Sequence, residues 1–427
     1  MTTPSSTPAP GRSDTARSDT AQSSAGQSNT GQDSPTRALI IGCGIIGIHH
    51  ATVLTKHPDF TVTALVDVDR SAAEKTAQKI VELGATEPVV YDSIADAIAS
   101  GVVDLGVVCT PSGYHIDNAL EVINAGKHAV IEKPLDVSVP KSREFAEATA
   151  KAAKRGQLVS VISQHRFDPG SALVRRAIEE QQFGRITSAV ATMAWYRSQE
   201  YYDSGDWRGT WALDGGGAVM NQGVHTVDLL RWFCGRPVEI SAHTAQLAHQ
   251  RIEIEDTAVA TVRFESGALA VIHMTTAAYP GLTARVQVHG SLGSAIVDND
   301  QLRYFHAGDG EVSDNLREAK KIGNQADEVL EQATAKRDEF AGSRNEPDGF
   351  VAGHYRQYDD IATALRNGTR PLVTVEEAML SLALVRSLYI SATLGQPVAF
   401  DDVLNGKYDD VTVTVAKDNG ARADLTA

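Results

Sequence analysis

The segment Gly42–His49 (GCGIIGIH) restricts this chain more than any other stretch. It follows the apolar run Ala38–Ile41, so a strand is expected to end where the glycines begin and a helix to start among them. Gly42, Gly44 and Gly47 have the spacing GxGxxG. The first glycine permits a tight turn, the second lets backbone approach a pyrophosphate, and the third lets the helix pack closely on the strand. Together with Ile45 and Ile46 they turn the free N–H groups of a helix start toward phosphate oxygens. Thr61–Val66 reads as a second strand and ends at Asp67, twenty residues after Gly47. A carboxylate there accepts hydrogen bonds from the adenosine ribose hydroxyls and repels a 2′-phosphate, which favours NAD. Arg70, three residues on, keeps NADP as the alternative cofactor. A glycine turn in some other α/β domain offers the same three residues; strand, helix and acid together argue for the dinucleotide.

At 427 residues the chain is long enough for two domains with sizeable cores. Its net charge of −15 repels nucleic acid and anionic membrane surfaces, so neither is expected as a partner. Cys43, Cys109 and Cys234 form no CxxC pair and no even-numbered framework, which fits a reducing cytoplasm. No apolar run is expected to reach the ~20 residues of a membrane span. Residues 1–36 are almost wholly small and polar, with RSDTA at Arg12 repeated at Arg17, and are expected to form a disordered tail.

From Arg37 short apolar strands alternate with helix-prone stretches, the pattern of a doubly wound parallel sheet, expected over 37–157. Val102–Cys109 runs into Thr110 and Pro111, so the chain leaves the carboxyl edge of the sheet where ligands of such folds sit. His128–Ile131 similarly ends in Glu132, Lys133 and Pro134. A lysine at that edge can bind a hydroxyl or carbonyl oxygen and stabilise the charge that develops on it. Most lysines are solvated surface groups, and only the surrounding nucleotide fold favours a role for this one.

These motifs resemble the glucose–fructose oxidoreductase, inositol dehydrogenase and rhizopine-catabolism family of NAD(P)-dependent sugar oxidoreductases. The resemblance rests on GCGIIGIHH at Gly42, CTPSGYH at Cys109, EKP at Glu132 and GGGAVMNQGVHTVDLL at Gly215, and it extends from Arg37 to about Phe400. It implies that Thr110, Pro111, His115, Glu132 and Lys133 border the cofactor, that the Lys133–Pro134 peptide is cis, and that His225 is the catalytic histidine. Through it Arg197, Trp207 and Arg208 become candidates for the sugar, since aromatic faces and polar rims suit a ring with apolar faces and hydroxyl edges. Asn221 departs from the aspartate that inositol dehydrogenases carry there, which puts inositol in doubt. Asn221 and His225 are four apart and share a helical face; Asp228, three beyond His225, is expected to orient its imidazole. Histidine titrates near neutrality, as a general base for a hydroxyl proton should.

The second domain is expected over 158–400 as an α+β unit with a large, mainly antiparallel open sheet. Its strands are read at Ile186–Tyr196, Val238–Ala245, Thr257–Phe264, Ala268–Thr276 and Thr283–Gly290. Helices suffice for one face, so the other is an expected interface of a homodimer or homotetramer. Residues 306–349 read as a mobile excursion over the substrate crevice, and 401–427 as a polar tail with a strand at Val411–Val415. The reading is an oxidoreductase that moves hydride between a secondary hydroxyl or ketone of a cyclic polyol or sugar and nicotinamide. A non-catalytic NAD(P)-binding regulator and an NAD-dependent glycoside hydrolase are the alternatives, and retention of Lys133 and His225 argues against the first. No metal is expected, because no carboxylate or Cys cluster accompanies His49-His50.

Overall fold

A computed structural model describes residues 34–308, 323–335 and 349–417. Residues 1–33, and with them nearly all of the expected tail, lie outside that set. Strands β1 (Thr36–Ile41), β2 (Phe60–Val66), β3 (Val89–Tyr91), β4 (Leu105–Val108), β5 (His128–Ile131) and β6 (Val159–Val161) form one parallel sheet in the order β3-β2-β1-β4-β5-β6. Side chains of β1 alternate between its faces: Ala38 and Ile40 enter one core, Leu39 and Ile41 the other. Helices α1 (Ile45–Lys56) and α2 (Arg70–Glu82) supply Leu54 and Ala73 to the first core, while α3 (Ile94–Ala99), α4 (His115–Asn124) and α5 (Val139–Ala153) supply the second. The sheet runs past the expected boundary at 157, because β6 pairs with β5.

The second sheet has nine strands. After α6 (Pro169–Glu179) come β7 (Ile186–Ala194), α7 (Gln199–Asp203), α8 (Val224–Cys234), β8 (Pro237–Gln246), β9 (Thr257–Phe264), β10 (Leu269–Thr275), β11 (Ala284–Gly290), β12 (Gly293–Asp298) and β13 (Gln301–Ala307). Their order is β13-β12-β11-β7-β10-β9-β8, closed at one edge by Val398–Ala399 and Ala416–Lys417. Pairing is antiparallel except that β10 runs parallel to β7, and the two-residue strand Ala416–Lys417 parallel to β8. Strict alternation along β9 sends Ala258, Ala260, Val262 and Phe264 into the core and leaves Val259 on the open face, with Leu269 and Val271 of β10.

Several expectations need correction. The sequence reading passed over the hairpin β12–β13, although its turn carries Asn299 and Asp300 at positive φ, a conformation those residue types tolerate. Within the expected excursion 306–349, residues 306 and 307 belong to β13, and helix α9 (Ala326–Ala335) puts Ala326 and Ala333 into the second domain's core rather than over the crevice. The strand falls at Ala416–Lys417, beyond Val411–Val415. Helices α10 (Gly349–Asn367) and α11 (Val375–Leu394) return to the first domain, where Tyr358 and Ile361 pack on one face and Val375 on the other. Contrary to the expectation that no run reaches membrane length, α11 is long and apolar enough to cross a bilayer; more than half of it is buried in the core, as in the central helix of a globular protein.

One buried ion pair ties three of these elements together. Arg166, in the short 3₁₀ turn Gln164–Phe167, donates to Asp228 of α8 at 2.6 and 2.7 Å and reaches Glu377 of α11 at 3.0 Å. Ser381 and Ser163 also donate to Asp228. Burial would raise the Asp228 carboxyl, but the charge and hydrogen bonds of Arg166 hold it well below the usual range. Arg166→Met strands that carboxylate and should cost ~3–5 kcal/mol in urea unfolding, whereas Arg166→Met with Asp228→Leu should cost far less. Equal losses in the two variants would contradict the assignment.

Candidate active site

The glycine turn fits a dinucleotide phosphate. Gly42 has φ +91°, and a Cβ there would come within 2.8 Å of the Cys109 carbonyl; a Cβ on Gly47 would lie 1.9 Å from the Gly42 oxygen. Beside Gly44 there is open space, and no side chain caps the first turn of α1. The N–H groups around Ile45 and Ile46 therefore remain for a ligand. Asp67 accepts from Cys43 N at 2.5 Å and from Asp69 N at 2.8 Å, which fixes its carboxylate beside the turn. Arg70 is engaged by Asp92 at 2.7 Å and Glu74 at 3.2 Å, which weakens the case for NADP.

Behind the cradle, Glu132 is buried at the end of β5 and accepts from the Lys133 backbone N–H at 3.0 Å and from His50 Nε2 at 2.8 Å. His50 Nδ1 meets the Tyr358 hydroxyl at 2.8 Å, and His354 Nε2 lies 3.5 Å from Glu132. Burial opposes ionisation of Glu132, yet hydrogen bonds from His354 and His50 hold it well below the usual carboxylate range. The sequence argument that no carboxylate accompanies the histidine pair is thereby corrected: ligand-type atoms of His50, Glu132 and His354 lie within 4.8 Å of one another. The Lys133–Pro134 peptide is cis, as the resemblance implied. His115, also buried, bridges the carbonyls of Thr110 and Pro134 at 2.8 and 2.7 Å, and both it and Glu132 line the crevice.

A crevice of about 540 Å³ brings together Ile45, Ile46, Thr110, Pro111, Lys133 and His225. Arg197, Trp207 and Asn221 also line it. Arg208 stacks behind, its guanidinium 4.4 Å from the ring centres of Trp207 and Tyr201. A larger cavity of about 880 Å³, lined by Arg175, Arg231 and Trp232, contains neither Lys133 nor His225.

Each glycine of the run before His225 meets a different neighbour: Gly215 faces Val137, Gly216 the Tyr389 hydroxyl, and Gly217 Glu255. Glu255 accepts from Gly217 N at 2.9 Å and Val219 N at 2.8 Å, and a Cβ on Gly217 would lie 1.8 Å from the Glu255 carbonyl oxygen. Ala218–Gln222 consequently winds as a π-turn, and α8 starts only at Val224. Asn221 is thus not on the regular helix expected for it, but it still faces the crevice: its side chain donates to Asp214, and its carbonyl lies 3.5 Å from Lys133 Nζ.

Asp214 escaped the sequence reading. Burial pushes its carboxyl up to about 6, against a hydrogen bond from Gly209 N, at 2.9 Å, and against those from Asn221 and the charges of Arg208 and Lys133. Asp228 does not orient His225, because its oxygens are occupied by Arg166, Ser163 and Ser381. The ring beside His225 is instead His165, with centroids 4.7 Å apart at 85°. Burial, Lys133 and His165 drive the His225 imidazole well below its ordinary value, so it is neutral across the neutral range. The expected titration near pH 7 is corrected accordingly.

Family models match at both ends of this architecture. Residues 36–163 match the oxidoreductase family with an NAD-binding Rossmann fold, and 171–296 match the GFO/IDH/MocA C-terminal domain. The Bacillus subtilis oxidoreductase YrbE is 30% identical over 271 residues, 61% of this chain and 73% of that protein. The chain belongs to the GFO/IDH/MocA oxidoreductase family. The crystal structure of the Bordetella pertussis WlbA dehydrogenase, a complex with NADH and UDP-GlcNAcA, is similar at 32% identity and TM-score 0.71, over 86% of this chain and 98% of that one. The Bacillus subtilis scyllo-inositol 2-dehydrogenase (NAD(+)) is 24% identical over 86% of this chain and 96% of its own length. This GFO/IDH/MocA protein is an NAD-dependent dehydrogenase.

His165 carries a pH prediction of its own. Burial lowers it, but hydrogen bonds and charges of Asp168 and Asp300, each at 2.9 Å, push it up to about 10 from 6.5. Because its folded value lies above its free value, the stabilisation is complete below pH 6.5 and is lost as pH rises through about 10. The Tm of the wild type should fall over that window by more than the Tm of His165→Gln; parallel curves would refute the assignment.

Proposed function

We propose that the protein oxidises a secondary ring hydroxyl of a sugar, cyclic polyol or sugar derivative. Bound NAD would accept the hydride. The observation that carries this reading is one crevice, beside the glycine cradle, that presents the Lys133 ammonium and the neutral His225 imidazole together. Gly42, Gly44, Gly47 and Asp67 would hold the dinucleotide, with Thr110 and Pro111 along its nicotinamide half. Lys133 binds the reacting oxygen and stabilises the charge that grows on it. His225 takes the hydroxyl proton. Asn221, held by Asp214, keeps a polar wall between them, and Trp207 and Arg197 border the ring. Curated relatives support this class: the Rhizobium meliloti inositol 2-dehydrogenase is 26% identical and an Ensifer adhaerens 1,5-anhydro-D-fructose reductase 29%. Val259, Leu269 and Val271, exposed on the open face of the second sheet, support assembly of copies through it, and the three unpaired cysteines fit a reducing cytoplasm.

Reduction of NAD measured against a panel of inositols, aldoses and sugar nucleotides tests the reading; release of free sugar without NADH would favour the glycosidase alternative. Lys133→Met should lower kcat far more than it raises the KM for NAD. His225→Ala should lower kcat by ~10²–10⁴. Since the base is neutral well below its ordinary value, wild-type kcat/KM should show no imidazole limb between pH 6 and 8. Near wild-type turnover in both variants would return the lead to the regulator. Asp67→Ala should shrink the ratio of kcat/KM for NAD over NADP, and a wild type that prefers NADP would overturn the carboxylate's role.

A further inference from the structure

The wall of the crevice formed by the exit of β7 and helix α7 carries more donor hydrogens than acceptors among the described residues. Arg197 Nη2 donates to Gln222 Oε1 at 2.9 Å, and Gln222 Nε2 donates to the Tyr201 hydroxyl at 2.8 Å. Arg208 Nη1 donates to the same hydroxyl at 2.7 Å. The Tyr201 oxygen thus accepts twice, and among the described residues nothing accepts its own proton. Arg197 Nε is buried with no partner there either. Neither guanidinium has an ion pair among the described residues; both lie over aromatic rings, Arg197 at 5.3 Å from Trp195 and 5.1 Å from Tyr201. The nearby acid, Asp214, already spends its oxygens on Gly209 N and Asn221. In a chain of net charge −15, an arginine on the cavity wall and a second stacked behind it, both without an ion pair among the described residues, call for an explanation.

A neutral polyol gives each of its hydroxyls a proton as well as lone pairs, so it matches a donor-rich wall poorly. Carboxylate and phosphate oxygens only accept, carry the compensating charge, and suit a rigid guanidinium fork. We propose that Arg197 and Tyr201, with Arg208 behind Tyr201, dock an anionic group of the substrate, the oxygens of a carboxylate or a phosphate. This rests on the oxidoreductase reading and narrows it to acidic or phosphorylated sugars. The hydroxyl to be oxidised sits at Lys133, and the anion fixes which carbon of the ring arrives there.

Calorimetric titration of the full chain loaded with NADH tests the docking with three pairs of probes. D-Glucose against D-glucuronate isolates the carboxylate, D-glucose against glucose 1-phosphate isolates the phosphate, and UDP-glucose against UDP-glucuronate adds the carboxylate to a diphosphate. At least one anionic member should bind ~10-fold more tightly than its partner, the usual strength of a charge-assisted pair. Arg197→Met, Arg208→Met and the milder Tyr201→Phe should each reduce that preference, with unchanged Tm for Tyr201→Phe showing the fold intact. Absence of any anion preference, or a preference that survives all three substitutions, overturns the proposal. NAD reduction by the same compounds separates the two claims. Turnover without anion preference removes the docking wall and leaves the oxidoreductase, whereas variant-sensitive anion binding with no NADH formed does the reverse.

Discussion

A carboxylate taken out of water must find donors, and Glu132 finds them on three separate parts of the chain. His50 comes from the nucleotide helix α1, the Lys133 N–H from the end of β5, and His354 from α10, more than 200 residues later in sequence. An ionised group in that position holds its neighbours to one geometry, because any donor that leaves exposes the desolvated charge. The helix that carries the glycine cradle and the residue that carries Lys133 are therefore fixed to the same atom pair. Glycine turn and Lys133 cannot drift independently.

The second domain repeats this logic one layer away. Arg166, Asp228 and Glu377 clamp α8 against the first domain's last turn and the central helix α11. Glu255 winds the π-turn that aims Asn221. His225, between those two anchors, needs no carboxylate of its own. Burial, with Lys133 and a charged His165 nearby, keeps it unprotonated before it meets a substrate hydroxyl.

What could be read from the sequence was what local pattern encodes. The glycine spacing, the two-faced apolar strands and the alternation of β9 and β10 depend on neighbours within a few residues, and the structure follows them. Partnerships across long separations were invisible. Asp228 sits at helical spacing from His225, but spacing permits a contact without choosing it, and Arg166, 62 residues earlier, takes the carboxylate first. Asp214 and His165 have no local signature; each acquires its role from residues that only the fold delivers. The π-turn could have been suspected from three consecutive glycines ahead of an otherwise regular helix, since such a run marks backbone brought against something bulky. The missed hairpin at Asn299-Asp300 had a turn signal in plain view and was lost for want of a long apolar run on either side.

The proposed chemistry needs a single geometry: one oxygen of the substrate held by Lys133 and His225 at once. A crystal structure of the full chain with NADH and a turned-over substrate measures it directly. The reacting oxygen should lie within ~2.6–3.2 Å of both Lys133 Nζ and a ring nitrogen of His225. A ring bound with that oxygen facing Asp214, or with His225 turned away into the contact with His165, would contradict it.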